Sequence, residues 1–554
     1  MGYKSLFPDL EIPKCNVLSF LFPQGKQPSD QAIWIDAADP RHFLTPRLCL
    51  SWVRRLGFGL DRLGIGRQQV VMIFTPNHIF VPVAYLGIVG SGRIFSAANP
   101  VYTVNEVEYQ IKNTGASCIF VHPDHVETAV EAARRAGLDQ SKIFQFSDKP
   151  CQTKTGVRDW REAMAGSQSE AESWQWDSMT ETSTTNIATI NYSSGTTGLP
   201  KGVCISHHNL LANVVQTIFM RDLEQPYNKR SQPQERWVGF LPLYHAYGQL
   251  YVNLIAPTLL FPTYVMKKFV YEDFLGVIQT HQITNLQVAP PILIMLDKRP
   301  ETVRYDLSSV NHILCGAAPL SKELQRAVAK KVDCNIIQGW GMTEVTCGSL
   351  LVPGGRYDES GSVGLILPNH EFKLLDDDGK EVAEGQPGEM FVRAPNVCVG
   401  YWRNEQATKE SLDSGGWLKT GDIAVVKDNW FWIVDRKKEL IKVNALQVAP
   451  AELEAVLLEN GDVADAAVTG ITLGDEEWPR AYVSLKDKKK GQVTETQIQE
   501  WMKGKVAKHK QLVGGVKFVD EVPKLASGKI QRKVVREWAK RDALELEKGG
   551  RPRL

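Results

Sequence analysis

Asn191-Tyr192-Ser193-Ser194-Gly195-Thr196-Thr197-Gly198-Leu199-Pro200-Lys201-Gly202-Val203 is the stretch that decides how the rest of the chain is read. The apolar run Ile187 to Ile190 leads into it as a short strand, and the stretch then supplies four hydroxyls (Ser193, Ser194, Thr196, Thr197), three glycines and one lysine. Glycine lets backbone N–H groups approach anionic oxygens, hydroxyls donate further hydrogen bonds, and Lys201 adds a full positive charge. A polyphosphate suits such a loop. On its own the stretch reads equally well as a solvated Ser/Thr/Gly surface loop. No Gly-Lys-Ser/Thr stands at the Walker spacing, so a P-loop NTPase is excluded.

Working outward, the segment before the loop alternates helix and strand signals. Apolar residues recur at helical spacing from Leu48 to Leu60, and Val70 to Phe74, closed by Thr75-Pro76-Asn77, reads as a buried strand. Val81 to Gly92 suits a tightly packed helix. Thr103 and Glu106 have capping-box spacing before a helix ending near Thr114-Gly115, and Ala116 to Val121 gives the next strand. Trp160 to Thr185 lacks a period and reads as a connection across the surface. After the loop, helices are expected at Asn209 to Met220 and Tyr271 to His281, with strands at Trp237 to Leu241, Thr284 to Val288 and His312 to Cys315. The alternation predicts parallel sheets covered by helices.

Beyond Thr346 turn signals crowd together. Short strands such as Phe372 to Leu375 and Met390 to Val392 predict a small antiparallel unit, closed by a hairpin of Ile423 to Val426 and Trp430 to Val434 around Asp428-Asn429. The last segment carries a helix signal from Pro450 to Asn460-Gly461, strands at Ala466 to Gly470 and Ala481 to Leu485, and a helix capped by Thr494 and Gln497. The expected class is α/β: a large N-terminal domain (1–437) of two α/β sheet units plus a small β unit, and a smaller mobile α+β domain (438–554). No internal repeat is present.

Composition bounds the function. The 554 residues exceed one ordinary core. With 64 basic against 63 acidic residues, charge gives no reason to propose nucleic acid as a partner; Lys486 to Lys490 reads as a solvated loop. Nine scattered cysteines without a CxxC pair argue against disulfides and a zinc site. No uninterrupted apolar stretch of about 18 residues exists for a membrane span, so a soluble, cytoplasmic protein is expected. The ending Pro552-Arg553-Leu554 shares the basic-Leu close of a peroxisomal address, with proline where a small residue is usual.

Further motifs follow in order. Leu241-Pro242-Leu243-Tyr244-His245-Ala246-Tyr247 places a histidine and aromatics beyond a strand; Gly316-Ala317-Ala318-Pro319 follows another; Gln338-Gly339-Trp340-Gly341-Met342-Thr343-Glu344 ends a third, where α/β sheets bind ligands. Thr420-Gly421-Asp422, Asp435-Arg436 and Pro523-Lys524-Leu525-Ala526-Ser527-Gly528-Lys529-Ile530 complete the set. Read singly, His245 is a packed histidine, Asp422 a turn residue and Lys529 a surface lysine. Together and in this order they resemble the adenylate-forming superfamily of acyl- and aryl-CoA ligases, adenylation domains and luciferases. Leu440-Ile441-Lys442 and Gln447 to Glu454 look most like its 4-coumarate–CoA ligase branch.

That resemblance implies roles. Ser193, Ser194, Gly195, Thr196, Thr197, Gly198 and Lys201 would hold ATP phosphates, with Gln338, Gly339 and Trp340 at adenine, the last by stacking in place of the family's tyrosine. Asp422, an acceptor-only carboxylate, would face both ribose hydroxyls, assisted by Arg436. Glu344 would supply an oxygen ligand for Mg²⁺, and Thr343 a hydroxyl to phosphate or acyl-adenylate. Tyr247, Gly316, Ala317, Gly341, Val345 and Thr346 would line the acyl pocket, with His245 between it and the thiol tunnel. Lys529 would hold a carboxylate against the α-phosphate. The small domain would then turn about Lys438 and present Lys442 and Gln447 to CoA. The implied activity is ATP-dependent adenylation of a small carboxylic acid, aryl or medium-chain, and its transfer to CoA. Val443-Asn444-Ala445-Leu446 departs from the branch's Tyr-Lys-Gly-Phe, which leaves a carrier-protein phosphopantetheine as the alternative acceptor. A non-catalytic nucleotide-binding protein is the alternative of another class; nothing in the sequence points to a luciferase-like oxygenase.

Overall fold

In the strand Val70–Phe74 every side chain is buried, and the two sets of alternating residues enter different cores: Val71 and Ile73 join one, Val70, Met72 and Phe74 the other. A strand covered on both faces belongs inside a parallel sheet flanked by helices. The protein was analysed as a computed structural model, which describes residues 2–180, 182–193, 200–223, 235–443, 446–473, 476–525 and 528–548. Ser194, Gly195, Thr196, Thr197 and Gly198, the pair Asn444-Ala445, and Pro552-Arg553-Leu554 lie outside the described residues.

Among the described residues Val70–Phe74 lies in a seven-stranded sheet, parallel to Ile94–Ala98 and Cys118–Val121. Ile187–Ser193 joins Ile94–Ala98 in parallel, and Lys201–Ser206 folds back on it as an antiparallel hairpin. A nine-stranded sheet holds the parallel neighbours Asn285–Val288, His312–Cys315 and Asn335–Trp340. The two sheets share one apolar core with the fully buried helix Val81–Gly90 and the helix His207–Asp222. The strand ends of the second sheet carry the Gly316 and Trp340 motifs.

The β unit is a five-stranded antiparallel sheet built on Glu371–Leu375, Gly388–Arg393, Leu418–Lys427 and Trp430–Arg436, with Tyr3–Lys4 added at its edge. Asp428 and Asn429 have φ of 50° and 66°, the left-handed pair a two-residue hairpin turn requires. In the smaller C-terminal domain Val463–Leu473, Glu476–Leu485 and Val516–Phe518 form a sheet. The helices Pro450–Glu459 and Glu495–Lys503 pack on one face and the helix Arg532–Lys548 on the other. The capping boxes at Thr103 and Thr494 both form.

One expectation holds only in part. Most described residues of 167–185 are exposed, but the segment is more ordered than a plain surface crossing: Trp160 and Met164 are fully buried, and short helices form at Trp160–Ala163 and Gln168–Glu172. Single aromatic anchors hold this segment, since Trp174 is buried and its Nε1 donates to Asp61 Oδ2 at 2.8 Å. All nine cysteines are free thiols, and among the described residues no helix is long and apolar enough to cross a membrane.

Candidate active site

The hairpin of Ile187–Ser193 and Lys201–Ser206 brings Ser193 opposite Lys201. A later strand fixes what Lys201 meets. Gly400–Tyr401 pairs antiparallel with Val203 and Cys204, which sets the Lys201 ammonium 5.1 Å from the centre of the Tyr401 ring. The Tyr401 hydroxyl in turn donates to Glu344 Oε1 at 2.9 Å. That hairpin and the Thr343-Glu344 element are thereby linked through one tyrosine.

Thr343–Val345 forms a single 3₁₀ turn directly after the strand Asn335–Trp340. Gly341 between them is required by close packing, because a Cβ there would lie 1.6 Å from the Cys347 carbonyl oxygen. Glu344 is buried. Trp340 sits at the strand end with its ring edge-on to Phe372 at 6.1 Å, and its indole Nε1 donates to Asp422 Oδ2 at 2.8 Å. Asp422 is paired across the hairpin with Arg436, whose Nε lies 3.5 Å from Oδ1. Burial pushes the Asp422 carboxyl up, while Arg436, the indole hydrogen bond and Lys529 oppose it.

His245 lies on a loop pinned by Asn77, which donates to the Leu241 carbonyl at 2.9 Å and accepts from the Leu243 N–H at 2.9 Å. The Tyr247 N–H donates to His245 Nδ1 at 3.3 Å. Burial and the Lys529 charge push the imidazole down to about 3, so it is neutral, with its proton on Nε2. Tyr247 spends its hydroxyl on the Leu314 carbonyl at 3.1 Å and leaves its ring to the pocket.

Lys529 comes from the other domain. Lys524 is bridged to Ile530, and the Leu525 N–H donates to the Lys529 carbonyl at 2.8 Å. Gly528, at φ 81°, rests on Pro291, where a Cβ would come within 2.8 Å of the ring. The side chain enters the wall of a pocket of about 630 Å³, counting its part open to solvent. His245, Tyr247, Gly316, Ala317, Gly339, Trp340, Gly341 and Thr343 are in that wall too. Burial, then Arg436, push the ammonium down to about 8, whereas Asp422 and Glu344 hold it up. A cation is thus held among the groups assigned to nucleotide, metal and acyl chain.

Several expected residues stand elsewhere. Gln338 donates its amide to Gln325 Oε1 at 2.7 Å and is not in the wall of the pocket. Val345 is fully buried in the core under the β unit, and Thr346 donates to the Asn396 carbonyl at 2.7 Å; neither is in the wall. Lys442 and Gln447 face one another on the exposed side of the hairpin Ile441–Val443 and Leu446–Val448, outside the pocket. Lys438 is exposed in the turn after Trp430–Arg436. Sequence reasoning missed Tyr401, Asn77 and the apolar wall of Leu250, Tyr251, Leu314, Leu350 and Leu351. Only the sheet pairing of Gly400–Tyr401 brings Tyr401 to Lys201, and the leucines look like any core residue.

Known proteins place the family and the fold. Residues 23–402 match the family described as AMP-binding enzyme, and residues 452–529 match the AMP-binding enzyme C-terminal domain. The acyl-CoA synthetase ACTT5 of Alternaria alternata is 36% identical over 523 residues, covering 92% of this chain and 87% of that protein. The 4-coumarate-CoA ligase 1 of Narcissus pseudonarcissus is 33% identical, with 96% of each covered. In fold the chain is similar to the anthranilate CoA ligase AuaEII in complex with anthranoyl-AMP, at a TM-score of 0.83 and 23% identity over 96% of this chain and 99% of that one. It is likewise similar to ATP-bound MatB from Rhodopseudomonas palustris, at 0.81 and 24% over 95% and 99%. The chain belongs to the AMP-binding enzyme family, on its acyl-CoA synthetase side.

Proposed function

We propose that the chain is an ATP-dependent acid–CoA ligase acting on an apolar monocarboxylic acid, aryl or medium-chain. The observation that carries this reading is the insertion of Lys529 into the wall of a pocket lined mainly by apolar, aromatic and small residues, with His245, Thr217 and Thr343 its other polar side chains. Among the described residues Lys529 is the only lysine or arginine in that wall. One cation suits one carboxylate at the mouth, and a second carboxylate in the leucine-lined depth would be desolvated without a partner.

In the first step the substrate carboxylate attacks the α-phosphate in line, giving acyl-AMP and pyrophosphate. The Lys529 ammonium lies between two anions that otherwise repel, and offsets charge building on the transferring group. Lys201 and the loop hydroxyls balance the departing pyrophosphate, Asp422 accepts from the ribose hydroxyls, and Thr343 donates to phosphate. Mg²⁺, when bound, neutralises polyphosphate charge, and Glu344, oriented by Tyr401, is the residue that would hold it. Neutral His245 carries no charge to compete for the carboxylate. In the second step the domain of residues 438–554 turns on Lys438 relative to residues 1–437, withdrawing Lys529 and presenting Lys442 and Gln447 to the CoA thiol. The exposed turn at Lys438 and the position of Lys442 outside the pocket support this. Relatives described as CoA ligases favour CoA over a carrier protein as acceptor.

A panel of aryl, aliphatic and dicarboxylic acids with ATP, Mg²⁺ and CoA, followed for pyrophosphate and thioester together, tests the reading. Acid-dependent thioester with apolar monocarboxylic acids is expected. Preference for a dicarboxylic acid, or acyl-AMP that accumulates and ignores CoA, would overturn it.

A further inference from the structure

Trp340 has a second face to its role. Its ring is held rigidly: only 7% exposed, edge-on to the fully buried Phe372, with its own carbonyl accepting from the Ser349 N–H at 3.0 Å. In that setting the indole N–H has one partner in reach, Asp422 Oδ2 at 2.8 Å. The Asp422 backbone is fixed as well, since its N–H donates to Thr420 Oγ1 at 3.1 Å and the Thr420 hydroxyl donates to the Met390 carbonyl at 2.8 Å. A carboxylate has about four acceptor positions. The indole takes one on Oδ2, Arg436 faces Oδ1, and two acceptors remain for two hydroxyls.

We propose that Trp340 is a positioning residue for the nucleotide ribose: its indole N–H sets the rotation of the Asp422 carboxylate, and so sets how strongly the enzyme prefers a ribonucleotide to a deoxyribonucleotide. The inference rests on the reading of Asp422 as the ribose acceptor. It goes beyond adenine stacking, which uses the ring face and not the N–H. A tyrosine at this position, as in the resembled branch, carries its donor at the far end of the ring on the Cβ axis. An indole carries it on the flank, where Asp422 lies.

The test compares kcat/KM for ATP with kcat/KM for 2′-deoxy-ATP and 3′-deoxy-ATP in the wild type, Trp340→Phe and Asp422→Asn. Trp340→Phe keeps an aromatic face and removes the donor. The expected result is a loss of about tenfold in the ATP to deoxy-ATP ratio, the worth of one hydrogen bond to a charged group, carried by KM for ATP. Equal losses with ATP and deoxy-ATP would reduce Trp340 to packing and overturn the proposal. If Asp422→Asn collapses the ratio while Trp340→Phe preserves it, only this inference falls. If Asp422→Asn preserves the ratio, the ribose reading falls and takes the inference with it. Should Trp340→Phe fold poorly, site-specific replacement of Trp340 by its sulfur isostere benzothienylalanine removes the N–H while keeping ring shape, and the same ratio decides.

Discussion

Lys298 ends the helix Pro290–Lys298 of the large domain, yet its hydrogen bonds go to the small one. Its ammonium donates to the Leu458 carbonyl at 2.7 Å and to the Val463 carbonyl at 3.0 Å. Leu458 is in the last turn of the helix Pro450–Glu459, where carbonyls lack intrahelical partners and a cation is favoured. Burial, first among the causes, pushes the ammonium down to about 8. A hydrogen bond to a charged group contributes about 1.5–3 kcal/mol, and desolvation offsets much of the sum of two, leaving a net of about 1–2 kcal/mol. That is roughly 5- to 30-fold in the balance between the arrangement with Lys529 inserted and the turned one. Lys298→Met keeps the aliphatic stem and removes the donor. Acid-dependent pyrophosphate exchange into ATP reports adenylation, and thioester formation from supplied acyl-AMP reports the second step. The exchange rate is expected to fall relative to the thioester rate by that factor. Equal changes in both, or none in either, would refute the idea that Lys298 favours the closed arrangement.

Lys529 acts as a cation, so adenylation by the free enzyme is present below a pH of about 8 and lost as pH rises through it; kcat/KM for the acid in exchange assays should show that alkaline limb, and Lys529→Arg should remove the limb even where it lowers the rate. Gly341→Ala places a Cβ 1.6 Å from the Cys347 carbonyl oxygen, which forces the backbone beside Thr343 and Glu344 to move. A loss of about 10²-fold or more in adenylation is expected from such misplacement, and wild-type exchange by a folded variant would contradict it. Tyr401→Phe leaves the ring under Lys201 and frees Glu344 Oε1; half-saturation by Mg²⁺ should shift several-fold with little change in KM for the acid, and an unchanged Mg²⁺ dependence would remove Tyr401 from the site.

Much of the fold is legible in the sequence because its strands are short apolar runs closed by turn signals. Val70–Phe74 and His312–Cys315 have the expected bounds, and so does the helix Tyr271–His281. Capping boxes read equally well because they are local chemistry. Residues 160–185 read poorly because their order comes from afar: Trp174 packs where Gly57 has no side chain, and a Cβ on Gly57 would lie 2.3 Å from its ring. No period in the segment announces that. The site divides the same way. Charged and glycine-bearing motifs are visible, since each has a recognisable spacing, but the partner a strand residue takes is set by tertiary packing, as where Gln338 gives its amide to Gln325. Tyr401 became visible only through a two-residue strand pairing across about two hundred positions. The widened π-helical turn Gln249–Ile255, which carries Leu250 and Tyr251 into the pocket wall, has no signature among apolar residues.

The central claim is that one lysine, delivered by the small domain, serves the first half-reaction and not the second. The most direct measurement takes Lys529→Ala and Lys442→Ala through both half-reactions, with pyrophosphate exchange into ATP for adenylation and thioester formation from supplied acyl-AMP and CoA for transfer. Lys529→Ala is expected to depress exchange by about 10²-fold or more, as for loss of a charge that stabilises a transition state, while sparing thioester formation, with Lys442→Ala showing the opposite bias. Equal loss in both half-reactions for Lys529→Ala, or the two profiles exchanged, would contradict the account.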